Sequence, residues 1–354
     1  MEQQNDLNLT ELIPGLPDEI ALECLTRLHY SVFDIASRVC QRWRNLLQNR
    51  EFYYHRKKTG FTRKFACLVQ SLPAQNITNS ETEAISSKPE KQLKYGLSGY
   101  DPITRIWEQI DSVPKFVTGL PLFCQVTSTE GKLIIMGGWN PTSWEPLRDV
   151  FVYEFSTRRW TQRVDMPSTR SFFSTGAFNG KVYVAGGHDD NKNALKSAWV
   201  YDVISDEWTE LSPMSEERDE CEGMIIGSEF WVVSGYETDS QGMFKNSAEV
   251  FDIAAGTWRR VDEVWRVSRC PRSCVAVGQN GKLVSWDEVE PAVQVGTCGV
   301  DLGDRVLVTG SAYQGAPQAV FVGKKIEGQN GKLVKMDVPD EFSGFVQSGC
   351  LVEI

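Results

Sequence analysis

Histidine is nearly absent: the chain has 354 residues and three histidines, His29, His55 and His188. With so few imidazoles, no His-x-x-x-His or mixed His/Cys zinc set can form after residue 60. Cys270 and Cys274 lie too far apart for a zinc knuckle and have no second pair beside them. A Gly-x-x-x-x-Gly-Lys-Ser/Thr phosphate loop is missing too, so nucleotide chemistry lacks its usual cradle. No metal or other cofactor is expected. Long apolar runs are lacking as well; the longest are strand-length, well below the roughly 18 residues of a membrane helix, so no membrane partner is expected. A basic excess is also absent. The 37 Lys and Arg face 47 Asp and Glu, a net charge of −10, which argues against nucleic acid as a partner. The first ten residues carry neither the basic stretch nor the apolar block of a signal peptide. Nine scattered cysteines, an odd number, fit reduced thiols. Both features point to a cytoplasmic or nuclear location.

What the chain does contain is a repeat. An aromatic residue is followed seven positions later by tryptophan at Tyr100/Trp107, Tyr153/Trp160, Tyr201/Trp208 and Phe251/Trp258, and successive tryptophans are 53, 48 and 50 residues apart. About 22 residues before three of them, a β-rich run ends in two small residues: Leu133 to Gly138, Val182 to Gly187 and Phe230 to Gly235. A unit of about 50 residues holds four short antiparallel strands and their turns. The small pair is read as making room for the Tyr and Trp of the following strands. Such a unit has two apolar faces, so units must stack, and their length favours a closed propeller over an open solenoid.

The diglycine, Tyr and Trp positions resemble the kelch repeat. That resemblance implies an all-β kelch propeller over residues 61–354, with six blades by length. Ser234-Gly235 departs from the diglycine, and only about ten residues after Trp286 are left for the outer strands of a fifth blade, which is therefore expected to be degenerate. Gly344 to Ile354 reads as a strand, while the first blade, starting near Phe65, lacks its own first strand. Donating the last strand to the first blade would close the ring.

Residues 12 to 50 have a different character. Leu16, Ile20, Cys24 and Leu28 recur near every fourth position after Pro17, and Ile35, Val39, Trp43 and Leu46/Leu47 form a second stripe. Some 40 residues cannot bury both stripes without a partner. The Leu16-Pro17 start and the Val39-Cys40-x-x-Trp43 segment resemble an F-box, a small all-α module of three helices expected over residues 10–58. The resemblance implies docking of a Skp-type adaptor, and through it a cullin-RING ligase, with Leu16, Pro17, Ile20, Leu25, Val39 and Trp43 as contacts. The alternative is that these residues only hold the helices together.

Arg170 and Arg218 each follow their repeat's tryptophan by ten residues, and Arg272 follows Trp258 by fourteen. All three open the first strand of a blade. Antiparallel topology puts that point on the same rim as the loops joining second and third strands: Trp139 to Arg148, His188 to Lys196, Tyr236 to Lys245 and the polar insert Ser71 to Lys91. The candidate rim set for a captured protein is thus Trp139, Trp144, Arg148, Arg170, His188, Arg218, Tyr236 and Arg272, a mixture rich in Trp, Tyr and Arg as at binding hot spots. The bland alternative is that each arginine pairs with acids of its own blade, as Arg218 could with Asp219 and Glu220, and that Trp144 packs under its loop.

Together the modules resemble plant F-box/kelch-repeat proteins, substrate receptors of SCF-type ubiquitin ligases. The resemblance implies a non-catalytic subunit that brings a target protein, such as a phenylpropanoid or flavonoid enzyme or a cytokinin response regulator, to ubiquitination. A kelch scaffold working without the adaptor, or a propeller enzyme, is the competing reading; the scarcity of histidine and the missing Ser-x-Asp-x-Gly-x-Thr-Trp boxes count against the enzyme.

Overall fold

The computed structural model describes residues 11–73, 94–266, 268–278, 281–326, 329–330 and 333–354. Among these residues four helices come first, not the expected three, because the four-residue α2 is a separate turn between α1 and α3: α1 (Asp18–Thr26), α2 (Phe33–Ala36), α3 (Gln41–Leu47) and α4 (Arg50–Thr59). Pro17 precedes α1, where a missing N–H costs nothing, and Asp18 and Glu19 occupy the first turn. Asn49 caps α4 by accepting from Glu51 N, and Gly60 ends it in the left-handed region.

Six sheets of the described residues follow in a ring. Blade 2 comprises Gln125–Thr129, Lys132–Met136, Val150–Glu154 and Arg159–Gln162 from axis to periphery, and blade 3 comprises Ser174–Phe178, Lys181–Ala185, Ala198–Asp202 and Glu207–Leu211. Blade 4 is Glu222–Ile226, Glu229–Val233, Ala248–Asp252 and Thr257–Val261. Blade 6 runs Val295–Asp301, Arg305–Ser311, Ala319–Ile326 and Val334–Met336. Blade 1 is built from Lys64–Ser71, Tyr95–Asp101 and Ile106–Ile110, and its innermost strand is the C-terminal Val346–Glu353, as expected for ring closure. Blade 5 keeps two strands, Val275–Val277 and Leu283–Ser285; the short helix α5 (Trp286–Val289) follows in place of its outer strands. Trp286 is buried in α5 against Gly299 of blade 6, so it is not an outer-strand tryptophan.

The Tyr/Trp spacing of seven has a simple cause. Tyr153 pairs with Trp160 directly across third and outer strands, as do Tyr201 with Trp208 and Phe251 with Trp258. Each indole N–H then reaches the preceding blade: Trp160 Nε1 donates to Asp111 O at 2.7 Å, Trp208 Nε1 to Val164 O at 3.1 Å and Trp258 Nε1 to Ser212 O at 2.6 Å. The repeat is therefore also the joint between blades.

The small pairs do a different job from the one expected. Gly186 and Gly187 have φ of +69° and +80°, and an added Cβ would lie 2.5 Å from Arg218 O of the next blade and 2.3 Å from Ser171 O of its own. The pair makes room for incoming backbone at the inner strands, not for Tyr and Trp. Ser234 adopts φ +58° at the equivalent place, and its hydroxyl donates to Lys245 O.

The helices share a core with the ring: Leu25, Phe33, Leu47 and Phe52 pack in one cluster with Phe65, Tyr153, Phe155 and Val352. Arg56, buried, donates to Leu28 O and Phe61 O and lies over the Phe33 ring at 4.5 Å. Among the described residues no helix is long and apolar enough to cross a membrane.

Candidate functional site: two opposite rims

Each inner strand starts at one rim, called upper here, and turns into the second strand at the lower rim. The helical module sits on the lower rim. Arg50 pairs with Glu130 and donates to Asn179 O, both in first-to-second turns, and Lys57 pairs with Glu353 at the end of the innermost strand of blade 1. Among the described residues, the upper rim with its second-to-third loops stays clear of the helices.

On the module, burial divides the stripes. Ala21, Leu25 and Thr26 face the core, whereas Ile20 is 51 % exposed, Ile35 63 % and Val39 60 %, with Pro17 and Val32 also exposed and Leu16 half-buried. Three apolar side chains in water on one small module is an uncovered face. Leu25, expected to contact the adaptor, is instead 2 % exposed and belongs to the core. Trp43 is half-buried and its indole N–H donates to Leu12 O at 2.7 Å, which ties down the segment before α1. Arg42 pairs with Asp18, whose carboxyl is held below its usual range by the Leu12 N–H and then by Arg42.

At the upper rim the three arginines part company. Arg170 is buried: it donates to Gly186 O, Ser197 O and the Ser168 and Ser197 hydroxyls, and burial pushes it down to about 10. Arg218 repeats this one blade on, donating to Ser234 O, Ser247 O and the Ser247 hydroxyl, with the buried Glu249 at 3.6 Å. Both guanidinium forks clasp the end of the second strand to the start of the third and present nothing to a partner. Their role is internal, not the rim contact expected for them, though the partners are chiefly carbonyls and hydroxyls rather than the acids Asp219 and Glu220.

Arg272 differs because it stands three residues before its inner strand, where Arg170 and Arg218 stand four before theirs. Its guanidinium lies over Phe172 at 4.2 Å and Phe123 at 5.1 Å, at the mouth of the central channel. Below it Glu222 opens the inner strand of blade 4; burial raises its carboxyl, while the Ser273 N–H and Arg272 work against that rise.

The residue after each small pair, Trp139, His188 and Tyr236, bridges back to Leu122, Ser171 and Asp219. Trp139 is half-buried, edge-on to Phe172, His188 and Trp144. His188 is buried, with Nδ1 2.9 Å from both Asp219 carboxylate oxygens, which makes Nδ1 the protonated nitrogen. Tyr236 is buried as well and donates to Glu220 at 3.1 Å. His188 and Tyr236 therefore shape the mouth from beneath and do not form its surface. Trp144 is exposed, with φ +59°, Arg148 pairs with Asp165 at the edge, and Lys192 lies over Trp139 at 5.6 Å. Of the polar insert, positions 74–93 lie outside the described residues.

The surface so assembled is an aromatic platform of Phe123, Phe172, Trp139 and Trp144 carrying two cations, Arg272 and Lys192. Phe123 and Phe172 were not among the sequence candidates, although they are 49 residues apart, one repeat. Both adopt left-handed φ, +58° and +56°, two positions before their inner strands, and Glu220 and Ser273 do the same in blades 4 and 5. Arg272 of blade 5 lies over both rings, which joins blades 2, 3 and 5 at the mouth.

Comparison with known proteins agrees with both halves. The F-box domain family matches residues 13–55, and the family described as KLHDC2/KLHL20/DRC7 Kelch-repeats domain matches residues 89–284. F-box/kelch-repeat protein At1g15670 of Arabidopsis thaliana is 33 % identical over 97 % of this chain and 100 % of its own length. F-box/kelch-repeat protein At2g44130 of the same plant is 42 % identical over 273 residues, 72 % of this chain and 66 % of its own, and F-box/kelch-repeat protein SKIP20 is 38 % identical over 72 % and 67 %. The solved protein described as "Structure of YjhT" covers 72 % of this chain and 88 % of its own at 14 % identity and TM-score 0.45, too distant to bear on the assignment. With the full-length match to At1g15670 and a kelch family match spanning more than half its residues, the chain belongs to the F-box/kelch-repeat proteins.

Proposed function

We propose that this protein is the substrate-recognition subunit of an SCF-type ubiquitin ligase, with the helical module docking a Skp-type adaptor and the upper rim holding a target protein. The observation that carries the reading is the separation of the two surfaces: the uncovered apolar face of Ile20, Ile35 and Val39 belongs to a module fixed on the lower rim, while the aromatic mouth opens on the other. A receptor needs that arrangement, since machinery and target must be held at once. Ubiquitin transfer then belongs to other subunits, and this chain contributes proximity. Any narrower identity for the target, a phenylpropanoid or flavonoid enzyme or a cytokinin response regulator, rests on the family resemblance alone, and a cytoplasmic or nuclear setting rests on the cysteine usage and the polar first ten residues.

The test is co-purification with a Skp-type adaptor. Replacing Ile20 and Val39 by Asp removes two apolar side chains worth about 1.5–3 kcal/mol each when buried, at least a hundredfold in affinity. Because both are already in water, the melting temperature should hold; undiminished adaptor binding would refute the docking face. Phe172→Ala with Arg272→Ala should abolish capture of the target while leaving adaptor binding intact.

A further inference from the structure

The seam between blades 6 and 1 breaks the rule of the other joints. Trp160, Trp208 and Trp258 each donate to a carbonyl of the preceding blade, but the buried Trp107 Nε1 finds no acceptor among the described residues. Blade 6 ends in a three-residue outer strand, Val334–Met336, and Trp107 stacks on Phe342 instead, with centroids 5.4 Å apart. A groove of about 730 Å³ is left open there, with Trp107 in its wall.

The groove is basic in a chain of net charge −10. Among the described residues Arg105, Arg305, Lys324 and Lys335 line it, against one lining carboxylate, Asp337. Arg305 meets the exposed Asp304 at 3.4 Å and donates to Pro102 O; no ion pair is made by Arg105, Lys324 or Lys335 among the described residues. Arg305 and Lys324 are also direct partners across neighbouring strands, a like-charge pairing that destabilises a sheet unless an anion sits between the cations. Arg305 opens a second strand and Pro102 and Arg105 lie in a third-to-outer turn, so topology puts the groove on the lower rim. It is on the helical module's side: in the outer strand of blade 1, Trp107 lines the groove while its neighbour Glu108 accepts from Tyr30 of the module.

We propose that this groove is a second docking site for the protein that binds the helical module, taking an acidic, extended segment of that partner. The inference rests on the adaptor reading above. Its cations would pair with the carboxylates of that segment.

The test uses the full chain with Arg105→Glu, Lys324→Glu and Lys335→Glu combined, all exposed, so folding is checked by an unchanged melting temperature. At low salt the variant should bind the purified adaptor about tenfold more weakly, and the salt dependence of the wild-type complex should largely disappear. A fluorescein-labelled deca-glutamate peptide should bind wild type and not the variant, which reads the groove even if the adaptor proves not to be the partner. Equal adaptor affinity and equal salt slope would overturn the proposal, as would an oligonucleotide binding as tightly as the peptide. Loss of adaptor binding in the Ile20/Val39 variant with no effect of the groove variant would leave the docking face standing and the groove refuted.

Discussion

One position decides what an arginine does here. Arg170 and Arg218, four residues before their inner strands, are swallowed by the blade, whereas Arg272, three before, points to the channel mouth. The difference was visible in the sequence as offsets of ten, ten and fourteen from tryptophan, but its meaning was not, because a one-residue slip reverses the side of a strand a side chain occupies. Arg218→Met should destabilise the fold by about 3–5 kcal/mol, since it leaves Ser234 O without its donor and takes the cation away from the buried Glu249, which keeps only the Ser215 and Glu216 donors. Lysine should rescue little, because a single ammonium cannot reproduce the fork. Urea unfolding measures this; an unchanged midpoint with lost target capture would restore the surface role. Aromatic positions were legible where the repeat exposes them, yet Phe123 and Phe172 escaped although they stand one repeat apart, because blades 4 and 5 carry Glu220 and Ser273 at the same place and what the four positions share is a left-handed backbone angle.

At the level of elements, the strands of the four regular repeats, the donated C-terminal strand and the shortened fifth blade could all be read from residue spacing. The role of the small pairs could not, because their neighbours are backbone atoms from a different blade. Nor could the α1 stripe of Leu16, Ile20 and Cys24 be assigned a side: periodicity finds an apolar face without saying whether protein or partner covers it, and here Ala21 and Leu25 took the inside. The Trp joints give a paired prediction that removes packing differences. Trp160→Phe deletes the bond to Asp111 O and should cost about 1 kcal/mol more than Trp107→Phe, whose indole N–H makes no such bond among the described residues. Thermal unfolding of the two variants checks it, and equal losses would mean that these bonds do not join the blades.

For the whole molecule, stability and function separate by location. Several carboxylates at turns and seams titrate below their usual range despite burial that pushes them up: Asp111 through the Tyr153 hydroxyl and Arg158, Asp202 through Lys181 and turn N–H groups, and Glu216 through Lys245. Their folded values lie below the unfolded ones near 4, so the stability they contribute is present above about pH 4 and is lost as pH falls through the folded values. The melting temperature should fall as pH drops below about 4.5, and Asp111→Asn should reduce the steepness of that fall. A fall of the same steepness in the variant would show that Asp111 plays no part.

The central claim is that adaptor and target occupy opposite rims. Hydrogen–deuterium exchange of the full chain, free and bound to a Skp-type adaptor, tests it directly. The account predicts new protection within residues 14–40, and unchanged exchange in the upper-rim loops 139–148, 188–196 and 236–245. Protection in those loops, or none in the helices, would contradict it.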